Sequence, residues 1–168
     1  KLGTPQDIEI VEALRGHTDA AFRVDANCGW TVDETVTHAP RLAELGVEFI
    51  EQPLAPDDEG QERVFAECAL PVIADENCIA EPDVEACAGR FHGVNIKLCK
   101  CGGPSIARRM ALRARDEGLP LPAGLVLLSP EVDLTESGDS FEVNRLVDVV
   151  LPGSLMSNNL LYANGADL

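Results

Sequence analysis

The chain has 168 residues, enough for one domain with a core, and is 45% hydrophobic but only 4% aromatic, so that core must rest on Val, Leu, Ile and Ala. A formal net charge of −16 argues against nucleic-acid binding, because a phosphate backbone is gripped by clustered Lys and Arg, and disfavours an anionic membrane surface. With no secretory leader or membrane-length apolar run read in the sequence, its six cysteines are expected to be reduced thiols of a cytoplasmic protein.

In chain order the sequence alternates helix and strand. Residues 7–15 read as a helix and 21–25 as a strand. Thr31 opens a second helix, because Thr31 and Glu34 stand at capping-box spacing; Gly46 closes it. Pro40 interrupts that helix and predicts a kink or a weak segment, since an interior proline costs about 3 kcal/mol. A strand over 47–51, a helix over 58–68 and a strand over 72–75 follow. Pro82 suits the first turn of a short helix. The last strand is predicted over 94–98, and Gly102-Gly103-Pro104 opens a helix that runs to Glu117. Strands separated by single helices imply right-handed βαβ units and a parallel sheet.

Each strand ends on a charge. Asp25, Glu51, Asp75 and Lys97 lie at intervals of 26, 24 and 22 residues, one βα unit apiece. They therefore gather at the carboxyl ends of successive strands, where a barrel of such units keeps its active site. Period-two alternation puts Arg23, Asp25 and Asn27 on one face, and likewise Asn95, Lys97 and Cys99. It puts Lys100 out of phase, as a surface charge. Cys99 and Cys101 form a C-x-C pair without the second pair of a four-ligand zinc site.

Three converging carboxylates repel one another and stay ionised only around a cation. Oxygen-only ligands suit a hard divalent ion, and three carboxylates with open water positions suit Mg²⁺. A partly desolvated Lys97 near that cation would have a lowered pKa and act as a base. A metal holding a substrate carboxylate also stabilises the enediolate left by loss of an α-proton. The implied chemistry is proton abstraction beside a carboxylate.

The stretches "RVDANCGWT", "VEFIEQPL", "PVIADEN" and "VNIKLCKCGG" closely resemble the barrel domain of the enolase superfamily, in its muconate-lactonizing branch, which includes dipeptide epimerases. The resemblance covers about residues 1–118 and implies a partial (β/α) TIM-type barrel. It implies that Asp25, Glu51 and Asp75 bind Mg²⁺, that Lys97 is one acid/base catalyst, and that Lys1 matches the second lysine of a Lys-x-Lys motif and is the other. It also implies a capping domain and two final barrel strands, neither of which is read in this sequence. Residues 119–168, with seven acids and one base, resemble instead an internal piece of the hormone-sensitive-lipase-like α/β-hydrolases, without a G-x-S-x-G elbow.

Three readings follow: a Mg²⁺-dependent racemase, epimerase or cycloisomerase acting on a small carboxylate; a non-catalytic metal-binding barrel fragment or chimera; and, on the C-terminal resemblance alone, an esterase. A full barrel takes about 250 residues. Open sheet edges are therefore expected to pair with another copy of the chain.

Overall fold

The computed structural model describes residues 1–120. Four strands, β1 (Phe22–Asp25), β2 (Val47–Glu51), β3 (Val72–Ala74) and β4 (Gly93–Val94), form one parallel sheet in the order β1-β2-β3-β4. Helix α1 (Asp7–Arg15) precedes β1, and α2 (Val32–Glu44), α3 (Gln61–Glu67) and α4 (Asp83–Cys87) connect the strands. A single turn, α5 (Leu98–Cys101), and a longer helix, α6 (Pro104–Asp116), follow β4. Consecutive strands are neighbours throughout, which is the βαβ arrangement that the alternating pattern implies.

The sheet has two unlike faces because side chains alternate along each strand. Val24, Ile50 and Val72 point to the helix-covered face and are buried. There Ile50 joins Leu42 and Ala39 of α2, while Val72 packs with Val64 of α3 and Met110 of α6. The alternate residues Asp25, Glu51 and Ile73 face the other way and are only half-buried.

Helix α2 carries the expected capping box: the Thr31 hydroxyl accepts from the Glu34 amide, and the Glu34 carboxylate accepts from the Thr31 amide. The kink or weakness expected at Pro40 does not interrupt it; the helix runs through to Glu44. The reason is packing. The Pro40 ring faces solvent, while its neighbours Ala39 and Leu42 are fully buried. Burying Leu42 alone contributes about 1.5–3 kcal/mol, comparable to the proline's cost.

The largest departure from expectation lies after β3. The predicted strand over 94–98 is two residues long, Gly93–Val94, and the chain turns into α5 at Leu98. Asn95, Lys97 and Cys99 therefore do not share a strand face. Cys99 is exposed and Cys101 buried. The boundary expected near residue 118 falls at the edge of the described residues, and the segment likened to a hydrolase lies, from residue 121 on, outside them. Among the described residues no helix is long and apolar enough to cross a membrane.

One polar group in the core was not legible in the sequence. Asp7 is 1% exposed, yet its carboxylate accepts four hydrogen bonds: from the Gly3 amide (2.7 Å), the Thr4 amide (3.0 Å), the Thr4 hydroxyl (2.8 Å) and the Trp30 indole N–H (2.7 Å). It thus ties the N-terminal segment to the loop that follows β1. Gly29 completes that contact, since a Cβ there would lie 2.8 Å from the Gly3 Cα. Burial pushes the Asp7 pKa up, but the bonds from Gly3, Thr4 and Trp30 outweigh it and hold the carboxyl below its ordinary value.

Asp7→Asn is expected to cost about 1.5–3 kcal/mol at neutral pH, the range for hydrogen bonds to a charged group. A depressed folded pKa gives stability that is complete above the unfolded value of about 3.9 and is lost as pH falls through the folded one. Denaturant titrations should therefore show a constant wild-type advantage above pH ~5 that shrinks below pH ~4. An advantage that grows on acidification would contradict this.

Candidate metal centre and its lysines

Asp25 and Glu51 end β1 and β2 and are direct register partners. Asp75 follows β3 and lies two residues beyond Ile73, the partner of Glu51. The three strand ends are thus staggered rather than level. Their carboxylates still converge: one oxygen from each lies within 4.8 Å of the others. Asp75 is 1% exposed, while Asp25 and Glu51 are half-buried.

The loops after the strands hold these acids in place. Gln52, fully buried and at a φ of +35°, spans two of them. Its carbonyl oxygen accepts from the amides of Asp75 (2.9 Å) and Asn77 (3.2 Å). Its amide nitrogen donates to the Leu54 carbonyl (2.8 Å) and the Asn77 side-chain oxygen (2.6 Å). A buried glutamine with two donors and two acceptor positions all used is a rigid clamp. After β1, Asn27 and Cys28 both take positive φ, and the Asn27 amide donates to Asp25 Oδ1 (2.7 Å). Asn95 donates to Glu51 Oε1 (2.9 Å).

Three lysines meet the acids. Lys1 lies beside β1, where the Leu2 amide donates to the Asp25 carbonyl (2.7 Å). Its ammonium pairs with Asp25 Oδ2 and donates to Asn27 Oδ1 (2.8 Å). The Lys97 ammonium pairs with Asp75 Oδ2 and stands 3.5 Å from Glu51 Oε1. Lys100, expected as a surface charge, instead reaches Asp75 Oδ1 (2.9 Å) and Glu76 Oε1 (3.3 Å). The expectation failed because it extended the strand period through residues that form the helical turn α5. On a helix, positions three apart share a side.

The lowered Lys97 pKa is an expectation for the centre with its cation; the protein's own groups act the other way. Burial lowers it, but hydrogen bonding and charge from Asp75, with Glu51 behind, outweigh that and leave it above the ordinary lysine value. The Lys1 pKa is raised as well, chiefly by its hydrogen bond to Asp25. For Asp75, burial pushes the pKa up, but Lys97 and Lys100 reverse this and hold it ionised.

This donor set fits a divalent cation. It offers three carboxylate oxygens from three separate strands, spaced for one ion at metal–oxygen distances of about 2.0–2.6 Å. Glu51 and Asp75 both lie within reach of the Lys97 ammonium, and Asp75 also pairs with Lys100. Among the described residues no other group of three or more His, Cys, Asp or Glu side chains is spaced to hold a metal.

Residues 1–136 match the family described as "Enolase C-terminal domain-like". An L-Ala-D/L-amino acid epimerase from Maribacter is 56% identical over 125 residues, which cover 74% of this chain and 37% of that protein. The crystal structure of a dipeptide epimerase from Enterococcus faecalis, complexed with Mg and the dipeptide L-Leu-L-Tyr, superposes with a TM-score of 0.67 at 33% identity, covering 72% of this chain and 36% of that one. An L-Ala-D/L-Glu epimerase from Bacteroides thetaiotaomicron is 37% identical over 166 residues, or 98% of this chain and 41% of its own length. The chain thus spans less than half the length of these relatives, and its fold is part of a TIM-type barrel.

The hydrolase resemblance of residues 119–168 finds no support among these matches. The family match continues to residue 136, and the Bacteroides epimerase aligns with nearly the whole chain. A short apolar stretch with prolines, such as "LPLPAGLVLLSP", is too common a pattern to identify a hydrolase. From its motifs, its parallel sheet and these matches, the chain belongs to the enolase C-terminal domain-like family.

Proposed function

We propose that this chain carries the metal-binding and acid–base residues of an epimerase or racemase that moves a proton at the carbon beside a substrate carboxylate or its amide equivalent, with a dipeptide as the substrate class. One observation carries the reading: Asp25, Glu51 and Asp75 converge, with Lys1 on the Asp25 side and Lys97 on the Asp75 side. Asp25, Glu51 and Asp75 would hold Mg²⁺. The ion supplies positive charge that stabilises the anion formed when the α-proton leaves.

The protein's own residues do the rest. With a cation in the centre offsetting the charge of the acids that hold it protonated, the lysine on one side would act as a neutral amine and take the α-proton onto Nζ. The protonated lysine on the other side gives a proton to the opposite face of the same carbon, inverting it. Each lysine ends with the other's starting protonation state. Gln52 and Asn95 keep the acids fixed, so the reacting groups do not have to reorganise. The open ends of the sheet, β1 and β4, would be covered by a second copy or by further strands of a barrel.

The test is α-proton exchange with L-Ala-L-Glu in D₂O, followed by NMR, in a protein extended to the length of its relatives. Deuterium should enter at the α-carbon with Mg²⁺ present and stop on chelation. Exchange that ignores the chelator would overturn the metal's place in the reaction. Metal binding without any exchange would favour the non-catalytic reading.

A further inference from the structure

Lys97 and Lys100 both bind Asp75, but through different oxygens. Lys97 takes Oδ2 and lies 3.5 Å from Glu51, so Oδ2 faces the three-acid centre. Lys100 takes Oδ1 at 2.9 Å and, with the same ammonium, reaches Glu76 Oε1 at 3.3 Å. Glu76 is not one of the three converging acids. Its other oxygen accepts weakly from the Cys28 thiol, 3.8 Å away. The Asp75 side chain is only 2% exposed, so solvent has almost no access to orient it.

Gln52 fixes the backbone on either side of this pair, at Asp75 and Asn77. It does not touch the Asp75 carboxylate. Rotation of that carboxylate is restrained by the two lysines alone among its described hydrogen bonds. Of these, Lys97 stands inside the centre, and its ammonium competes with a cation for Oδ2 and Glu51. Lys100 stands outside the centre and competes for neither.

We propose that Lys100 is a positioning residue of the metal centre: it holds Asp75 Oδ1 and Glu76 together on the outer side, so that Asp75 presents Oδ2 to the cation. The proposal rests on the metal-binding reading above. It separates two lysines that look equivalent by charge. Lys97 gives way when a cation enters, and Lys100 does not.

The two roles predict opposite signs. Removing any positive charge near a cation site should, by charge alone, tighten cation binding. Removing an outer-shell partner that orients a ligand should weaken it, typically 10–100-fold. Mn²⁺ titration of the chain, read from the free-ion EPR signal, distinguishes these. Lys100→Met is expected to weaken Mn²⁺ binding by about 10–100-fold. Lys100→Arg, which keeps the charge and the donors, should recover most of the loss. Lys97→Met should bind Mn²⁺ at least as tightly as wild type.

Thermal melts accompany each titration, and Lys100→Gln is the second neutral variant if Lys100→Met does not fold. Wild-type affinity or tighter in a folded neutral variant overturns the role of Lys100 while leaving the metal centre standing. Failure of the wild-type chain to bind Mn²⁺ overturns both.

Discussion

Asp75→Asn is expected to abolish measurable Mg²⁺ binding by the chain in a calorimetric titration. Asp75 is the most buried of the three converging acids, and it lies between two ammonium groups that keep it ionised. Asparagine has nearly the same shape but no charge, and its amide nitrogen would face Lys97 or Lys100 with donor against donor. The centre would keep two carboxylates, and Lys97 would turn wholly to Glu51, 3.5 Å away. Losing an outer partner typically costs 10–100-fold in metal affinity; losing a ligand charge should cost more than about 100-fold. Folding should survive, because Lys97 and Lys100 remain about one-third exposed and keep Glu51 and Glu76 as partners. Breaking a fully buried pair would cost about 3–5 kcal/mol, but partial exposure reduces that. A melt close to wild type with no heat of Mg²⁺ binding is the expected pair of results. Equal titration curves for variant and wild type would remove Asp75 from the centre.

The three acids could be found in the sequence because each βα unit has nearly the same length. That puts one strand end every 22–26 residues, and the charges there stand out against apolar runs. Helix α1 and strand β2 were legible to the residue, since a regular apolar pattern and flanking turn residues bound them both. What escaped depended on partners distant in the chain. Asp7 looks like an ordinary acid in a first helical turn until Trp30, 23 residues on, donates to it. Gln52 stands between a strand-end acid and Pro53, where its neighbours suggest only a turn. Its function appears when Asp75 and Asn77 are seen to share its oxygen. Lys100 was misplaced for a local reason: β4 stops at Val94, and four residues later, at Leu98, the backbone enters a helical turn. "NIKLC" is apolar enough to read as strand, and nothing in its composition marks where the strand ends.

In a protein extended to the length of its relatives, Lys97→Ala is expected to abolish α-proton exchange for one configuration of the substrate and to spare it for the other. Lys1 is held beside β1 by Asp25 and Asn27, whereas Lys97 is held by Asp75 and Glu51 beyond β3. The three acids lie between them along the sheet. A substrate α-carbon anchored at that centre would therefore meet one lysine on each face. A base acts only within hydrogen-bond reach of its proton, so each lysine serves the configuration whose hydrogen points to it. Loss of a general base costs about 10²–10⁴ in rate, which sets the expected size of the one-sided effect. Net epimerisation needs both lysines and should fall in either direction. Lys97→Met is expected to leave cation binding intact, so Mn²⁺ titration of the Lys97 variants separates loss of the base from loss of the metal. Lys1→Ala should show the mirror-image selectivity. If Lys97→Ala exchanges both configurations at wild-type rates with the metal bound, Lys97 takes no proton. If it loses both equally, the two lysines do not divide the faces between them.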